Sequence, residues 1–191
     1  MELVFATNNL HKIKEISPLI QNDFHLLSLS DLNFYDEIPE TQDSLEGNAS
    51  QKAQTIFNKF AKNCFADDTG LEIEALDGEP GVYSARYAGE GCSFQDNIDK
   101  VLQKMQGINN RKARFRTVIS LILEGKEYFF EGCVNGKILT EKHGNDGFGY
   151  DPIFMPDGFS ISFAEMTLEQ KNQISHRSIA VGNLVAFLNK A

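Results

Sequence analysis

The stretch Phe65-Ala66-Asp67-Asp68-Thr69-Gly70 decides the fold, because it sets two adjacent carboxylates and a hydroxyl at the end of a short apolar run. Cys64, Phe65 and Ala66 predict a short buried strand, and Gly70 predicts a turn before the alternating Leu71-Glu72-Ile73-Glu74. Successive strand side chains point to opposite faces, so Asp67 and Asp68 can serve one partner only where the backbone turns. A turn is therefore expected here. Two carboxylates at a strand mouth repel each other, and the usual relief is a hard divalent cation or a shared proton. Mg²⁺ is the first candidate, since it takes oxygen ligands from one or two carboxylates while substrate phosphates fill other positions. Asp, Thr and Gly are also ordinary turn residues, so a solvated turn is the plain alternative.

Upstream, Leu3-Val4-Phe5-Ala6 reads as a buried strand that runs into Thr7-Asn8-Asn9 and a helix with Leu10, Ile13, Ile16 and Leu19 or Ile20 on one face. Asn8 or Asn9 caps that helix, and Pro18 shortens or kinks it near Ser17. A strand entering a helix offers free N–H groups and the positive end of the helix dipole to an anion, and Lys12 adds a full charge there. His25 to Leu29 is a second strand, and the acidic stretch from Asp31 to Thr41, with Asp36, Glu37 and Glu40, is a connection able to deliver a metal ligand. Asp43 with Glu46 resembles a capping box, opening a helix through about Ala61 whose apolar face is Leu45, Ala49, Ala53, Ile56, Phe57 and Phe60.

Downstream, Leu71 to Ala75 is a strand, Asp77 to Gly81 a loop, Tyr83 to Gly89 a compact segment and Phe94 to Met105 a helix. Arg114 to Leu123 and Glu127 to Val134, joined at Glu124-Gly125-Lys126, read as a long antiparallel hairpin with one face buried. Two loops then stand out. Gly144 to Pro152 places glycines on both sides of Phe148, letting the backbone approach a ligand while the ring offers a face for stacking. Lys171 to Arg177 leads into a final helix capped by Ser175, with His176 and Arg177 in its first turn, where cations oppose the helix dipole and an anionic or carbonyl-bearing ligand relieves the conflict.

The chain has 191 residues, 41% hydrophobic and 24% charged, which suits one soluble globular unit. A net charge of −9 argues against a nucleic-acid polymer or an anionic membrane surface as partner, since both require a basic footprint. Cys64, Cys92 and Cys133 are odd in number and lack C-x-x-C spacing, which fits a reducing compartment and no zinc site. The start reaches polar residues by Thr7, too soon for a signal peptide, and no stretch approaches the roughly 18 apolar residues of a membrane span, so the cytoplasm is expected. Taken together, Lys12, the carboxylates, Phe148 and the cationic loop at Lys171 to Arg177 suit a nucleoside polyphosphate. No G-x-x-x-x-G-K-[ST] loop occurs.

In these motifs the chain resembles the inosine triphosphate pyrophosphatase family, hydrolases of non-standard purine nucleoside triphosphates. The resemblance rests on Phe5-Ala6-Thr7-Asn8-Asn9 with Lys12 and Glu15, Glu40-Thr41, Asn48-Ala49 with Lys52-Ala53, Ala66 to Leu71, Pro80 to Tyr87, Gly147 to Pro152, and Lys171 with Ser175-His176-Arg177. It implies an elongated α/β fold with a long central mixed sheet flanked by helices, two lobes with a deep cleft within a single domain over residues 1–191, and a homodimer. It implies Mg²⁺-dependent hydrolysis of ITP, dITP and XTP to the monophosphate and pyrophosphate. Carried over by position, Thr7, Asn8, Asn9, Leu10, His11 and Lys12 hold the phosphates, and Glu40 and Asp68 bind the metal, with Asp68 also the base. Thr69, Phe148, Gly149, Tyr150, Asp151, Lys171, His176 and Arg177 contact the nucleotide. Asn8, Gln42 and Thr69 depart from the family's commoner Gly, Gly and Ser; Thr keeps the hydroxyl and Asn tolerates unusual backbone angles. A pyrophosphatase of modified or pyrimidine nucleotides and a non-catalytic nucleotide sensor are the competing readings.

Overall fold

The computed structural model describes residues 1–20 and 24–190. The chain folds as two compact units: Met1–Asp68, Thr117–Gly132 and His176–Ala191 make the first, and Thr69–Arg116 with Cys133–Ser175 the second. The strands are β1 (Glu2–Phe5), β2 (His25–Leu27), β3 (Cys64–Ile73), β4 (Lys112–Leu123), β5 (Lys126–Ile138) and β6 (Phe154–Pro156). The helices are α1 (Leu10–Ile16), α2 (Leu45–Phe60), α3 (Phe94–Lys104), α4 (Leu168–Ile174) and α5 (His176–Leu188). The sheet has the order β2-β1-β3-β4-β5-β6, with β1 parallel to both β2 and β3 and β6 antiparallel to β5. It is a mixed sheet flanked by helices, as expected for the fold class. No helix among the described residues is long and apolar enough to cross a membrane.

In the first unit, strand alternation builds two cores. Leu3, Phe5 and Phe65 face α1 and α5, packing with Ile16, Ala180, Val181 and Leu184. Phe5 and Phe65 stack with centroids 4.6 Å apart. Val4, Ala6, Cys64 and Ala66 face the other way, toward Ala53 and Ile56 of α2. Asn9 caps α1, and the helix ends at Ile16, as Pro18 predicts. The cap of α2 is Ser44, not Asp43: the Ser44 hydroxyl accepts from Gly47 N at 3.1 Å. A Cβ at Gly47, in the first turn, would meet Gln42 Cβ at 2.7 Å and the Ser44 hydroxyl at 3.0 Å.

The expected turn at Asp67 to Gly70 does not exist. β3 runs unbroken from Cys64 to Ile73 through both carboxylates. Gly70 is needed for a different reason, since a Cβ there would meet the Gly81 carbonyl oxygen at 2.7 Å. In the second unit, Ser84 accepts from Leu71 N at 2.9 Å and donates to Gly81 O at 2.6 Å, which fastens the 3₁₀ segment Gly81–Arg86 beside the strand. Leu71, Ile73, Ile98, Val101, Met105, Phe115, Phe154 and Phe163 form that unit's core.

The predicted hairpin is present as β4 and β5. Its linking residues Glu124 and Gly125 take φ of 51° and 76°, the paired left-handed geometry of a two-residue turn matched to strand twist. One face of β4 was expected to be firmly buried, and the burial extends to both: Thr117, Val118, Ile119, Ser120, Leu121 and Ile122 are all buried. Ser120 can sit inside because its hydroxyl donates to Glu127 at 2.7 Å. The segment expected as a loop from Lys171 is mostly helix, with α4 opened by a Thr167–Gln170 capping box. Ser175 is extended, with φ −70° and ψ 151°, and α5 begins at the next residue.

Candidate active site

In an unbroken strand, Asp67 and Asp68 must point to opposite faces. Asp68 points to α2. Its Oδ2 accepts from Asn48 Nδ2 at 3.1 Å, and its Oδ1 lies 3.5 Å from Lys52 Nζ. The same Lys52 ammonium donates to Glu40 Oε1. Two carboxylates thus converge on the ammonium of Lys52, itself buried. Asn48 does double duty, since its Oδ1 accepts from Gln42 N at 2.9 Å. Gln51 adds to this grip, accepting from Thr41 N and donating to Thr41 Oγ1, both at 2.9 Å. These bonds from α2 fasten the loop at Thr41 and Gln42, beside Glu40.

Asp67 points the other way. Its Oδ1 accepts from Lys12 Nζ at 2.9 Å, and its Oδ2 lies 3.5 Å from Arg177 Nε. Arg177 also donates through an NH1 nitrogen to Glu15. All four of these side chains come from α1, β3 and α5, and Asp67, Glu15 and Arg177 are buried.

Electrostatics separate the neighbouring aspartates. Burial pushes Asp68 above the usual carboxylate range, against the pull of Lys52 and Lys12. Burial acts the same way on Asp67, but Lys12, Arg177 and Lys52 outweigh it and hold that carboxyl well below the range. Glu40 is lowered as well, its desolvation outweighed by Lys52.

At the start of α1, Thr7 is buried and its hydroxyl accepts from Asn9 N at 3.2 Å, while Leu10 and His11 are exposed. The free N–H groups expected there are partly taken: Asn9 Oδ1 accepts from His11 N at 3.0 Å and Lys12 N at 3.3 Å.

Within the second unit, Asp151 Oδ2 accepts from Lys171 Nζ at 2.6 Å and from Phe148 N at 2.9 Å. The Lys171 ammonium sits 5.1 Å from the Phe148 ring centroid. Gly147 has φ 75°, and a Cβ there would meet Asp151 Oδ2 at 2.2 Å, so this loop closes only around glycine. Tyr150 is buried, its hydroxyl donating to Ser84 O at 2.9 Å. Thr69 is half-buried in β3.

A model of the Ham1 family matches residues 3–187. The chain belongs to the Ham1 family. It is 52% identical over 188 residues to a dITP/XTP pyrophosphatase of Flavobacterium johnsoniae, covering 98% of both chains. It is 51% identical over 190 residues to a dITP/XTP pyrophosphatase of Christiangramia forsetii, covering the whole of each. The Ham1 protein of Staphylococcus aureus superposes with a TM-score of 0.91 at 41% identity, over 100% of this chain and 99% of that one. A HAM1 protein of Coxiella burnetii gives 0.92 at 33% identity over the full length of both.

For this Ham1 chain, seven of the residues singled out from sequence fall into three contact groups. Glu40 and Asp68 meet at Lys52; Lys12 and Arg177 meet at Asp67; Phe148, Asp151 and Lys171 meet one another. Lys52, Asn48 and Glu15 carry these groups without having been assigned a role from sequence, and Asp67, read there as half of a cation-binding carboxylate pair, instead faces Lys12 and Arg177. A signal was there for two of them. Asn48 and Lys52 lie on the buried stripe of α2 between Leu45, Ala49, Ala53 and Ile56, and a lysine on such a stripe must meet carboxylates.

Glu40 and Asp68 are oxygen donors of the kind a hard cation such as Mg²⁺ takes, and the Lys52 ammonium stands between them. Among the described residues no group of three or more His, Cys, Asp or Glu is placed to hold a metal. Two carboxylates leave most coordination positions to water and phosphate, which is the Mg²⁺ habit and not that of Ca²⁺ or Zn²⁺. Glu40, with a third of its side chain exposed, is the solvent-side member.

Proposed function

We propose that this chain hydrolyses the non-standard purine nucleoside triphosphates dITP, XTP and ITP to the nucleoside monophosphate and pyrophosphate. Relatives named dITP/XTP pyrophosphatases over the full chain support the reaction class, hydrolysis of a nucleoside triphosphate. The observation that carries the mechanism is the convergence of Glu40 and Asp68 on Lys52. Glu40 and Asp68 would hold Mg²⁺, which when bound supplies charge neutralisation for the triphosphate.

Asp68 is the base in this reading. Asn48 orients it through one carboxylate oxygen, and Lys52 lies 3.5 Å from the other. Lys12, Lys171 and the Thr7–Asn9 turn take the phosphates. Phe148 stacks on the base. A 6-oxopurine shows an O6 acceptor and an N1–H donor, met by Arg177 and Asp151, whereas adenine shows the reverse pair, and buried hydrogen-bonding groups can penalise such a mismatch by ~10⁴-fold. Guanine shares both groups with hypoxanthine, so this pairing does not reject GTP. A homodimer working in the cytoplasm completes the reading.

The test is pyrophosphate release from dITP, XTP, ITP, dUTP and ATP, each with Mg²⁺ and with EDTA. Turnover of the 6-oxopurine triphosphates that needs Mg²⁺ and exceeds that of ATP is expected. Preference for dUTP, or no cleavage of any of them by folded protein, overturns the proposal.

A further inference from the structure

The two aspartates of β3 look alike in sequence and stand in different company. Asp68 shares the α2 face with Glu40, Lys52 and Asn48. On the opposite face Asp67 and Glu15 contact Lys12 and Arg177, two carboxylates against two cations. Asp67 is 1% exposed. Strand alternation turns its carboxylate away from the Glu40 and Asp68 side, so the two aspartates cannot jointly ligate one ion without breaking β3.

Lys12 reaches Asp67 twice, at the carboxylate (2.9 Å) and at the main-chain carbonyl (3.4 Å). A lysine side chain is rich in rotamers, and a double contact of this kind removes much of that freedom before any ligand arrives. The same carboxylate touches Arg177, so one anion fixes cations from α1 and α5 together.

We propose that Asp67 is a positioning residue that pre-places the Lys12 ammonium for a triphosphate, and that it is not a metal ligand. The inference rests on the reading of Lys12 as a phosphate-binding residue. It predicts that Asp67 matters to phosphate only through Lys12, which a general structural role would not produce.

A double-mutant cycle tests this. Wild type, Asp67→Asn, Lys12→Met and the double variant are titrated calorimetrically with inorganic tripolyphosphate in Mg²⁺, and dITP turnover is measured in parallel. Asp67→Asn is expected to weaken tripolyphosphate binding at least tenfold in the wild-type background and less than threefold once Lys12 is methionine. The Mg²⁺ concentration giving half-maximal turnover is expected to stay within twofold of wild type. Equal losses in both backgrounds, or a tenfold rise in the Mg²⁺ requirement, overturn the proposal. So does a Lys12→Met chain that binds tripolyphosphate as well as wild type. If Asp67→Asn alone does not fold, the double variant decides: recovery of a cooperative melt is expected, and its absence overturns the pairing. A wild-type chain that binds tripolyphosphate and cleaves no nucleotide defeats the proposed reaction, while the binding cycle still decides the role of Asp67.

Discussion

Lys52 holds its ammonium 3.5 Å from Asp68 Oδ1 while also donating to Glu40, so one cation on α2 tethers a β3 carboxylate to the acidic loop before it. Removing one partner of a buried ion pair is costly because the remaining charges stay desolvated, typically by about 3–5 kcal/mol. Lys52→Met should therefore lower the melting temperature in EDTA by roughly 6–20 °C, at about 2–4 °C per kcal/mol for a chain of this size. Because two carboxylates are left facing each other, Mg²⁺ at millimolar concentration should restore part of the loss, and should do so more than in wild type. Thermal melts of both proteins with and without Mg²⁺ check this. Curves that ignore Mg²⁺ in both would remove Glu40 and Asp68 as the metal site.

The Asp151–Lys171 pair makes a second case with a different readout. Both side chains are almost fully buried, and Asp151 Oδ2 also anchors the Phe148 amide. Asp151→Asn should cost about 3 kcal/mol or more by the same reasoning and should loosen the 147–148 loop. Turnover should fall for ITP more than for ATP, narrowing the ratio between them. If stability drops and the ITP to ATP ratio stays put, Asp151 is a scaffold residue only.

How much of this was legible beforehand is clearest in β3. Apolar periodicity located the strand, and the company of Lys12, Glu40 and Phe148 indicated a polyphosphate ligand. The assumption that Asp67 and Asp68 serve one partner then forced a turn that the chain does not make. Both faces of this strand are polar at the same level, a pattern that period-two reading treats as a strand end. Gly70 misled for a related reason: local rules read it as a turn, while its use is the close approach of Gly81, a contact between residues distant in sequence. The helix α4 was missed because Lys171 and Asn172 looked like loop chemistry, and the burial of Lys171 against Asp151 and Phe148 is a tertiary fact. Ion pairing of Arg177 with Glu15 likewise joins positions that no local pattern connects.

Cys64 gives a prediction in pH. It is fully buried between β3 and α2, and burial pushes its thiol from 9.0 up to about 12. A group whose folded-state pKa is raised contributes stability below its unfolded value and loses it as pH climbs through the folded one. The window is therefore pH 9 to 12, with folded protein disfavoured progressively across it. Cys64→Ala should show a flatter decline of stability over that range in urea titrations, starting from a lower value at pH 8 because of the small cavity. An aromatic disulfide reagent at pH 8 should label Cys64 only after denaturant is added; rapid labelling in the native state would contradict this burial.

The start of α5, which carries His176 and Arg177, depends on a glycine in the neighbouring strand. A Cβ at Gly132 of β5 would stand 2.0 Å from the His176 carbonyl oxygen and 2.5 Å from Ala180 N, both backbone atoms of the helix. Neither can yield without moving α5, so Gly132→Ala should shift the first turn, disturb the Arg177 contacts to Glu15 and Asp67, and cost about 1–3 kcal/mol by overpacking. Turnover of dITP should fall at least tenfold. Gly182 supplies the opposite sign within the same helix, for an added Cβ there meets nothing within 4 Å and the site is exposed. Gly182→Ala should stabilise by roughly 0.5–1 kcal/mol, since alanine loses less backbone freedom in a helix, and should leave turnover unchanged. Melting curves and dITP kinetics for the two variants side by side check both signs. A Gly132→Ala protein as stable and active as wild type would show that α5 is not held by this contact.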